Sequence, residues 1–288
     1  MTARPARIVD AHVHLWDPAR TDWYPYLSGG QDVGMGDVTG MARRFDVASY
    51  LAESAGWNVV KLVNVAAATG THSIDETLAL DQRGGADGHP DAVIGGITPT
   101  DTTAEAVAQL DRQMAASRFR GVRPMGRFDG SLPSADVLGA LQERGLVFEL
   151  MAHPDQLHDG ARGLAGFDDL VVVVEHAGWP RSDSPEEKEL WAAGMNALAG
   201  LGDQVVCKLS GLAMPLGSMT VAALGPWIED AIEIFGVQRC MFASNFPVDG
   251  MHGTLDELWA TYSELTASFD ERDRELLFAG TAERIYRI

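Results

Sequence analysis

RIVDAHVH, the sequence of residues 7–14, is a mostly apolar run that ends in two histidines. In a β-strand, residues i and i+2 point to the same face, so we expect His12 and His14 to project together. Barrel enzymes carry their chemistry at the C-terminal ends of the strands, and this pair lies at the end of its run. The stretch therefore predicts a first strand with two candidate catalytic residues.

Apolar runs of strand length alternate with helix-like segments along the whole chain. They occupy residues 7–14, 59–66, 92–98, 119–123, 146–151, 170–176, 204–209 and 239–244. Strands that alternate with helices form parallel βαβ units, and eight such units close into a barrel. An open doubly wound sheet instead predicts a glycine-rich phosphate turn after the first strand, whereas residues 14–18 read HLWDP. We therefore expect one α/β domain over residues 1–288, a single (β/α)8 TIM barrel.

The connection after the first strand is long. Residues 15–44 show no strand or helix pattern, and connections of about thirty residues are usually lids or binding loops. Four aromatic residues and four glycines occur there: Trp16, Trp23, Tyr24, Tyr26, Gly29, Gly30, Gly34 and Gly36. This composition suits a mobile substrate cover and equally a packed surface extension, so the sequence leaves both open.

The chain is strongly acidic, with 22 Lys and Arg residues against 41 Asp and Glu residues and a net charge of −19. Nucleic acids and anionic membranes bind basic surfaces, so we expect neither as a partner. A small anionic substrate is the expected partner, and it would need a local cluster of Arg or Lys side chains. The oligomeric state is left open.

Composition also bears on location. The hydrophobic fraction of 46% is ordinary for a globular protein, and no apolar run approaches the roughly 20 residues of a membrane helix. Residues 1–7 are short and polar, unlike a signal peptide. Cys207 and Cys240 lie in apolar runs without metal-ligand spacing, so we expect them to be reduced. These features predict a cytoplasmic protein.

Four further motifs follow the first strand in order. They read EHAGWP at residues 175–180, KLSG at 208–211, FASNFPVD at 242–249 and TAERIY at 281–286. Together with VDAHVH at residues 9–14, they resemble the amidohydrolase superfamily over essentially the whole chain. The nearest branch is similar to lactonases that act on sugar acids and on pyrone or muconate acids. The resemblance implies a hydrolase, and members of that branch often work without a metal.

The resemblance also implies a third site histidine. His176 ends the sixth predicted strand and is similar to the sixth-strand histidine of the family. We therefore expect it to meet His12 and His14 at the barrel mouth and to be catalytic with them.

Six residues are candidate substrate contacts: Arg123, Arg127, Lys208, His153, Trp16 and Trp179. The planar guanidinium of Arg binds carboxylates through two parallel hydrogen bonds, so Arg123 and Arg127 could hold an acid group, or form a salt bridge on the barrel top. Lys208 lies inside a strand, where a charged side chain must be paired or functional. His153 follows the fifth strand, at the rim of the site or in a plain turn.

The eighth strand departs from the family pattern. The family usually has an aspartate after Gly/Ala-Ser, which serves as general base and as metal ligand where metal is present, and this chain has Asn245. An amide does not accept a proton at neutral pH and is a poor zinc ligand, but it can orient water or substrate. Asp249, four residues later, is a candidate substitute base.

Three functions follow from these residues. The first is a hydrolase that requires no cofactor and opens the ester of a small carboxylated or sugar-acid lactone, with histidines that stabilise the oxyanion. The second is a hydrolase or decarboxylase with one Zn²⁺ held by His12, His14 and His176. The third is a non-hydrolytic enzyme or a binding protein for small acids, since Asn245 replaces the usual base.

Overall fold

The chain, described by a computed structural model over residues 4–28, 38–100, 102–125 and 130–288, forms one eight-stranded parallel sheet. The strands are β1 Ile8–Val13, β2 Val59–Val65, β3 Ala92–Ile97, β4 Phe119–Pro124, β5 Val147–Leu150, β6 Val172–Val174, β7 Val205–Leu209 and β8 Cys240–Phe242. Each strand pairs in parallel with the next strand along the chain. All eight predicted strands are confirmed.

The first and last strands close the sheet. The backbone N–H of Asn245 donates to the His12 carbonyl at 2.8 Å, and the backbone N–H of His14 donates to the Phe246 carbonyl at 2.8 Å. Val13 and Phe246 also form a parallel bridge. The fold is therefore a single (β/α)8 barrel, as the alternating pattern predicts.

Helices connect the strands. They are α1 Val47–Glu53, α2 His72–Asp87, α3 Thr103–Gln113, α4 Ala135–Glu143, α5 Pro154–Leu164, α6 Pro185–Ala199, α7 Ala213–Leu216, α8 Val221–Phe235, α9 Leu255–Leu265, α10 Glu271–Glu275 and α11 Thr281–Tyr286. Their starts follow local chemistry: Ser184 accepts a hydrogen bond from the Glu187 amide at 3.2 Å, and Pro185 occupies the first helical position, a favoured site for proline. Within the described parts of the chain, no helix has both the length and the apolar character needed to cross a bilayer.

The barrel interior has an apolar floor and a polar upper layer. The floor combines strand residues with the C-terminal segment: Val9, Ala11, Val63, Val65, Ala92, Ile94, Val147, Val173, Val206, Met241, Ala243, Ala279, Ala282, Ile285 and Tyr286. Side chains two residues further along a strand share the same face. Interior positions above the floor therefore include Glu149, Glu175 and Lys208, all fully buried. Two carboxylates and one ammonium leave one negative charge over, so this buried layer needs a further cation.

The described parts of the connection after β1 are packed rather than free. The Trp16 indole donates to the Arg43 carbonyl at 3.0 Å, and the Tyr24 hydroxyl donates to Glu76 at 2.7 Å. Trp16, Tyr24 and Tyr26 are all buried. For these residues the packed extension is the correct alternative. The four loop glycines fall within residues 29–37, which lie outside the described residues.

Candidate active site

A bulge at the end of β1 places the first histidine pair. Asp10 pairs with Leu62 and Val13 with Asn64, so β1 carries one extra residue there, as in a β-bulge. Asp10 anchors the bulge, because its carboxylate accepts from the Ser244 amide at 2.8 Å and the Tyr50 hydroxyl at 2.6 Å. The pair is buried inside the barrel, with His12 Nε2 and His14 Nε2 3.2 Å apart.

His176 reaches the same place from β6. Its backbone is left-handed, with φ 53° and ψ 37°, which is uncommon for a residue other than glycine and is often found at functional sites. Ser210 Oγ lies 2.9 Å from its Nδ1. Gly211 must be glycine, because a Cβ there would stand 2.3 Å from the His176 ring.

The rings of His12 and His176 lie 4.8 Å apart between centroids. The structure thus brings His12, His14 and His176 together at the barrel mouth, as expected. All three imidazoles are neutral near pH 7. The pKa of His12 lies well below its ordinary value, mainly because the ring is buried and also because the Lys208 charge is close. Burial and Arg123 likewise lower the pKa of His14, and they lower that of His176 to about 3.

The cations expected to bind an acid group are already paired. Arg123 Nη1 lies 3.3 Å from Glu175 Oε2, and its Nη2 donates to the Ala66 carbonyl at 2.5 Å. Lys208 Nζ donates to both oxygens of Glu149, at 2.7 and 2.8 Å, and its side chain is 0% exposed. The structure therefore does not support Lys208 as a substrate contact. Its ammonium lies in the buried layer, 3.5 Å from His12 Nδ1.

Arg127, the remaining predicted acid-binding residue, lies outside the described residues. The other three predicted substrate contacts lie close to the histidines. Trp16 stacks on His14 at 5.7 Å between ring centroids, and Trp179 stands edge-on to His176 at 5.6 Å. His153 stacks on Trp179 at 4.8 Å. Aromatic rings therefore stand beside two of the three histidines, His14 and His176.

Sequence reasoning missed Glu149 and Glu175. Both are fully buried carboxylates that neutralise Lys208 and Arg123. A signal was present for Glu149, because a charged residue inside an apolar strand must be paired, the same argument that singled out Lys208. Glu175 stood in the EHAGWP motif beside His176, but nothing in the sequence showed that it faces Arg123.

Asn245 and Asp249 form a single unit. Asn245 has a left-handed φ of 56°, and its Nδ2 donates to Asp249 Oδ1 at 2.9 Å. The Asn245 side chain also acts on His14, because it raises the pKa of that imidazole against the larger lowering by burial. Asp249 is fully buried, and burial raises its pKa to about 7. The other oxygen, Asp249 Oδ2, has no hydrogen-bond partner among the described residues.

One group of the described residues has the chemistry and spacing of a metal site. The ligand atoms of His12, Glu175 and His176 all lie within 4.8 Å of one another. Glu175 Oε1 is buried without a hydrogen-bond partner, which fits a carboxylate that can accept a cation. This set shares His12 and His176 with the predicted one and adds Glu175. The third predicted ligand, His14, stacks on Trp16, and its Nδ1 lies 2.8 Å from the Val65 carbonyl while its Nε2 faces His12; its role as a metal ligand remains a prediction.

A closed (β/α)8 barrel with converging histidines at its mouth defines the class of the protein. The family model described as amidohydrolase matches residues 9–288. The chain therefore belongs to the amidohydrolase family, and it is a hydrolase of that family by fold, site and sequence.

Individual relatives agree with this assignment. The chain is 32% identical to an uncharacterized protein of Sinorhizobium fredii, with 98% of each covered. It is 28% identical to the L-fucono-1,5-lactonase of Burkholderia multivorans, covering 97% of this chain and 96% of that enzyme. A solved amidohydrolase from Burkholderia multivorans has a TM-score of 0.80 at 26% identity with HEPES bound, covering 98% of this chain and 100% of that one. The zinc-bound structure of the same amidohydrolase has a TM-score of 0.78 at 25% sequence identity, with the same coverage of both chains.

Proposed function

We propose that this protein opens the ester ring of a small sugar-acid lactone that carries no free carboxylate. The observation that carries the proposal is the convergence of three neutral histidines with the Asn245–Asp249 pair at the barrel mouth. These groups are what ester hydrolysis needs: hydrogen-bond donors for an oxyanion and a carboxylate to accept a proton. The similarity to a lactonase of an aldonic acid supports the ester of a sugar ring as the substrate class.

Charge pairing in the site supports a neutral substrate. Arg123 and Lys208 each face a buried carboxylate, Glu175 and Glu149. A substrate carboxylate would have to displace one of these partners and leave it buried without a counter-ion, which is costly. A carboxylated lactone remains the alternative, and it would depend on Arg127.

The proposed reaction uses one water molecule. Imidazole N–H groups polarise the lactone carbonyl, while the Asn245 amide orients the water. The water oxygen bonds to the carbonyl carbon, and Asp249 takes its proton, since a carboxylate with a pKa of about 7 suits that role near neutral pH. The ring C–O bond then breaks, the alkoxide oxygen receives that proton, and an open hydroxy acid leaves.

A metal ion is compatible with the same residues. His12, Glu175 and His176 would hold one Zn²⁺, which would supply a Lewis acid for the carbonyl oxygen. Two of these ligands already contact cations: Lys208 Nζ lies 3.5 Å from His12 Nδ1, and Arg123 Nη1 lies 3.3 Å from Glu175 Oε2. Zinc would therefore bind in competition with positive side chains, and we propose that hydrolysis does not require it.

A lactone panel tests this proposal. Release of acid would be followed for neutral aldonolactones and for lactones with a free carboxylate, with spontaneous hydrolysis subtracted by means of a His176→Asn variant. We expect turnover of neutral aldonolactones at a kcat/KM at least tenfold above that of their carboxylated counterparts. A preference for the carboxylated compounds would restore the acid-binding role of the arginines. Tight binding without turnover across the panel would favour the non-hydrolytic alternative.

A further inference from the structure

The backbone becomes left-handed directly after β6, over residues 176–179, here called the left-handed turn. Its φ and ψ angles are 53° and 37° at His176, 50° and 38° at Ala177, and 37° and 64° at Trp179, and Gly178 has a φ of 71°. The Trp179 backbone N–H donates to the His176 carbonyl at 2.9 Å. The turn therefore begins at one site residue, His176, and ends at another, Trp179.

Three of the four residues in the left-handed turn have a side chain that opposes this conformation. In an L-residue, left-handed dihedrals bring Cβ close to the following carbonyl oxygen, so only glycine adopts them freely and the others do so as single residues. In the rest of the described chain, Asn245 and Arg287 are the residues other than glycine with a positive φ. Strained backbone persists where the surrounding structure imposes it. Neighbouring groups must therefore hold this turn.

Trp191, on α6, holds the centre of the left-handed turn. Its indole Nε1 donates to the Ala177 carbonyl at 2.6 Å, and both residues are fully buried. A buried carbonyl that loses its donor is costly, and a right-handed backbone at Ala177 would turn the carbonyl away from the indole. The hydrogen bond from Trp191 therefore favours the left-handed conformation. The packing is close as well, because a Cβ at Gly178 would lie 2.7 Å from Met195 Sδ and 3.2 Å from Trp191 Nε1.

Two other side chains contact the ends of the turn. His153 Nδ1 lies 3.1 Å from the Trp179 carbonyl, and Ser210 Oγ lies 2.9 Å from His176 Nδ1. His153 is only half-buried, and Ser210 contacts a ring and not the backbone. Trp191, in contrast, binds the backbone at the centre of the turn from within the core.

We propose that Trp191 is a positioning residue that holds the left-handed turn and thereby directs His176 into the site. The φ and ψ angles of residues 176 and 177 set the direction of the His176 side chain relative to β6. A relaxed turn would therefore move this ring from its place 4.8 Å from the His12 ring. The kinetic part of this role rests on the proposed function, in which the histidines act on a lactone, whereas the conformation of the turn does not.

Removal of the indole N–H alone is the sharpest test. The analogue β-(3-benzothienyl)alanine at position 191 keeps the shape of the ring and has sulfur in place of N–H, and Trp191→Phe removes the donor together with some volume. We expect either change to lower kcat at least tenfold on the best neutral aldonolactone of the panel, with KM changed less than threefold. A misdirected His176 affects the reaction step, whereas the groups that bind the lactone remain.

Trp227→Phe is the matched control. The Trp227 ring, on α8, packs edge-on against Trp191 at 5.1 Å between centroids, so this change removes the same volume from the same core and keeps the bond to Ala177. Its kcat should stay within threefold of the wild type. An equal fall in the control and in the Trp191 variants would assign Trp191 a purely structural role.

A rescue variant separates a strained turn from ordinary packing. Glycine adopts left-handed dihedrals without a steric penalty, so a turn with glycine at position 177 needs less support. We expect Trp191→Phe/Ala177→Gly to have a kcat at least threefold above that of Trp191→Phe, with Ala177→Gly alone as the reference. Removal of a second buried group would otherwise add damage. A double variant no faster than Trp191→Phe would overturn the proposal.

The conformation of the turn gives a readout that does not depend on the substrate. Backbone chemical shifts, measured by NMR on the full-length protein, report the sign of φ at His176, Ala177 and Trp179. We expect a positive φ at all three in the wild type and loss of the positive φ at Ala177 in the benzothienylalanine protein. A negative φ at Ala177 in the wild type, or an unchanged turn without the N–H, overturns the proposal. A turn that behaves as expected in a protein that hydrolyses no lactone would refute the proposed function and leave the positioning role standing.

Discussion

Asn245 donates a 2.9 Å hydrogen bond to the buried carboxylate of Asp249, and the same side chain raises the pKa of His14 against the effect of burial. The residue that departs from the family pattern thus links a histidine of the site to a carboxylate that the loop after β8 supplies. Asp249, four residues further along the chain, therefore remains the candidate for the substitute base. This relationship makes Asn245 the position where restoration of the family residue is most informative.

Asn245→Asp is expected to lower kcat/KM by at least tenfold, roughly 1.4 kcal/mol in the barrier. A second carboxylate at hydrogen-bond distance from Asp249 would repel it and remove the Nδ2 donor. The matched control is Asn245→Asp/Asp249→Asn, which restores one amide and one carboxylate in exchanged positions and should recover part of the loss. A tenfold gain for Asn245→Asp alone would show that this position is a damaged base.

The activity of the wild type is expected to rise with pH through about 7. Burial raises the pKa of Asp249 to that value, so its proton-accepting form predominates only above it. The measurement is kcat/KM on a verified lactone from pH 5 to 9, corrected for spontaneous hydrolysis. Asp249→Asn should lose most activity, and its residual rate should lack the rise. Full activity in Asp249→Asn would leave a histidine as the base.

Asp249→Asn is also expected to stabilise the protein in mild alkali. Folding raises the pKa of this carboxyl from its ordinary 3.8 to about 7, so its contribution to stability is fully present below about pH 4 and lost as pH rises through 7. An asparagine at this position has no charge to bury, so it does not lose stability as the pH rises. At pH 8 the melting temperature of the variant should lie several degrees above that of the wild type. Each kcal/mol of added stability raises the melting temperature by about 2 to 4 °C for a chain of this size. Equal melting temperatures at pH 8 would contradict the buried, ionisable state.

Arg123→Met is expected to reduce stability more than it weakens binding of a neutral lactone. The substitution leaves the buried Glu175 carboxylate without its ion-pair partner. Removal of one member of a buried ion pair lowers the free energy of unfolding by about 3 to 5 kcal/mol. Arg123→Met/Glu175→Gln is the matched control and should regain much of that stability. Unfolding in denaturant measures both. A normal unfolding curve with a raised KM for carboxylated lactones would return Arg123 to acid binding.

Chelation is expected to leave most activity intact. The end of β8 offers an amide instead of a carboxylate, and Arg123 and Lys208 lie against two of the three ligands that would hold zinc. Metal content after dialysis and rates with and without chelator measure this. Stoichiometric zinc that survives dialysis, with inactivation by chelator and recovery on zinc addition, would establish a zinc enzyme.

The sequence by itself determined the barrel and the first-strand histidines. Strand periodicity and the alternation with helices are local patterns, readable within a window of about ten residues. His12 and His14 share a face for the same local reason. The replacement of aspartate by Asn245 is also visible in the sequence. It is found by comparing one short motif with the family pattern, and no knowledge of tertiary contacts is needed.

Only the tertiary structure decided which charges meet. Glu149 and Lys208 are 59 residues apart, and Arg123 and Glu175 are 52 apart. Closure of the barrel brings these strands together, and a strand sequence does not encode which side chain lies opposite it across the interior. Inside the barrel, each of these buried cations then pairs with the carboxylate that lies next to it. Two predicted substrate-binding cations, Arg123 and Lys208, therefore pair with buried carboxylates, and Glu175 joins His12 and His176 in a group that could hold a metal ion.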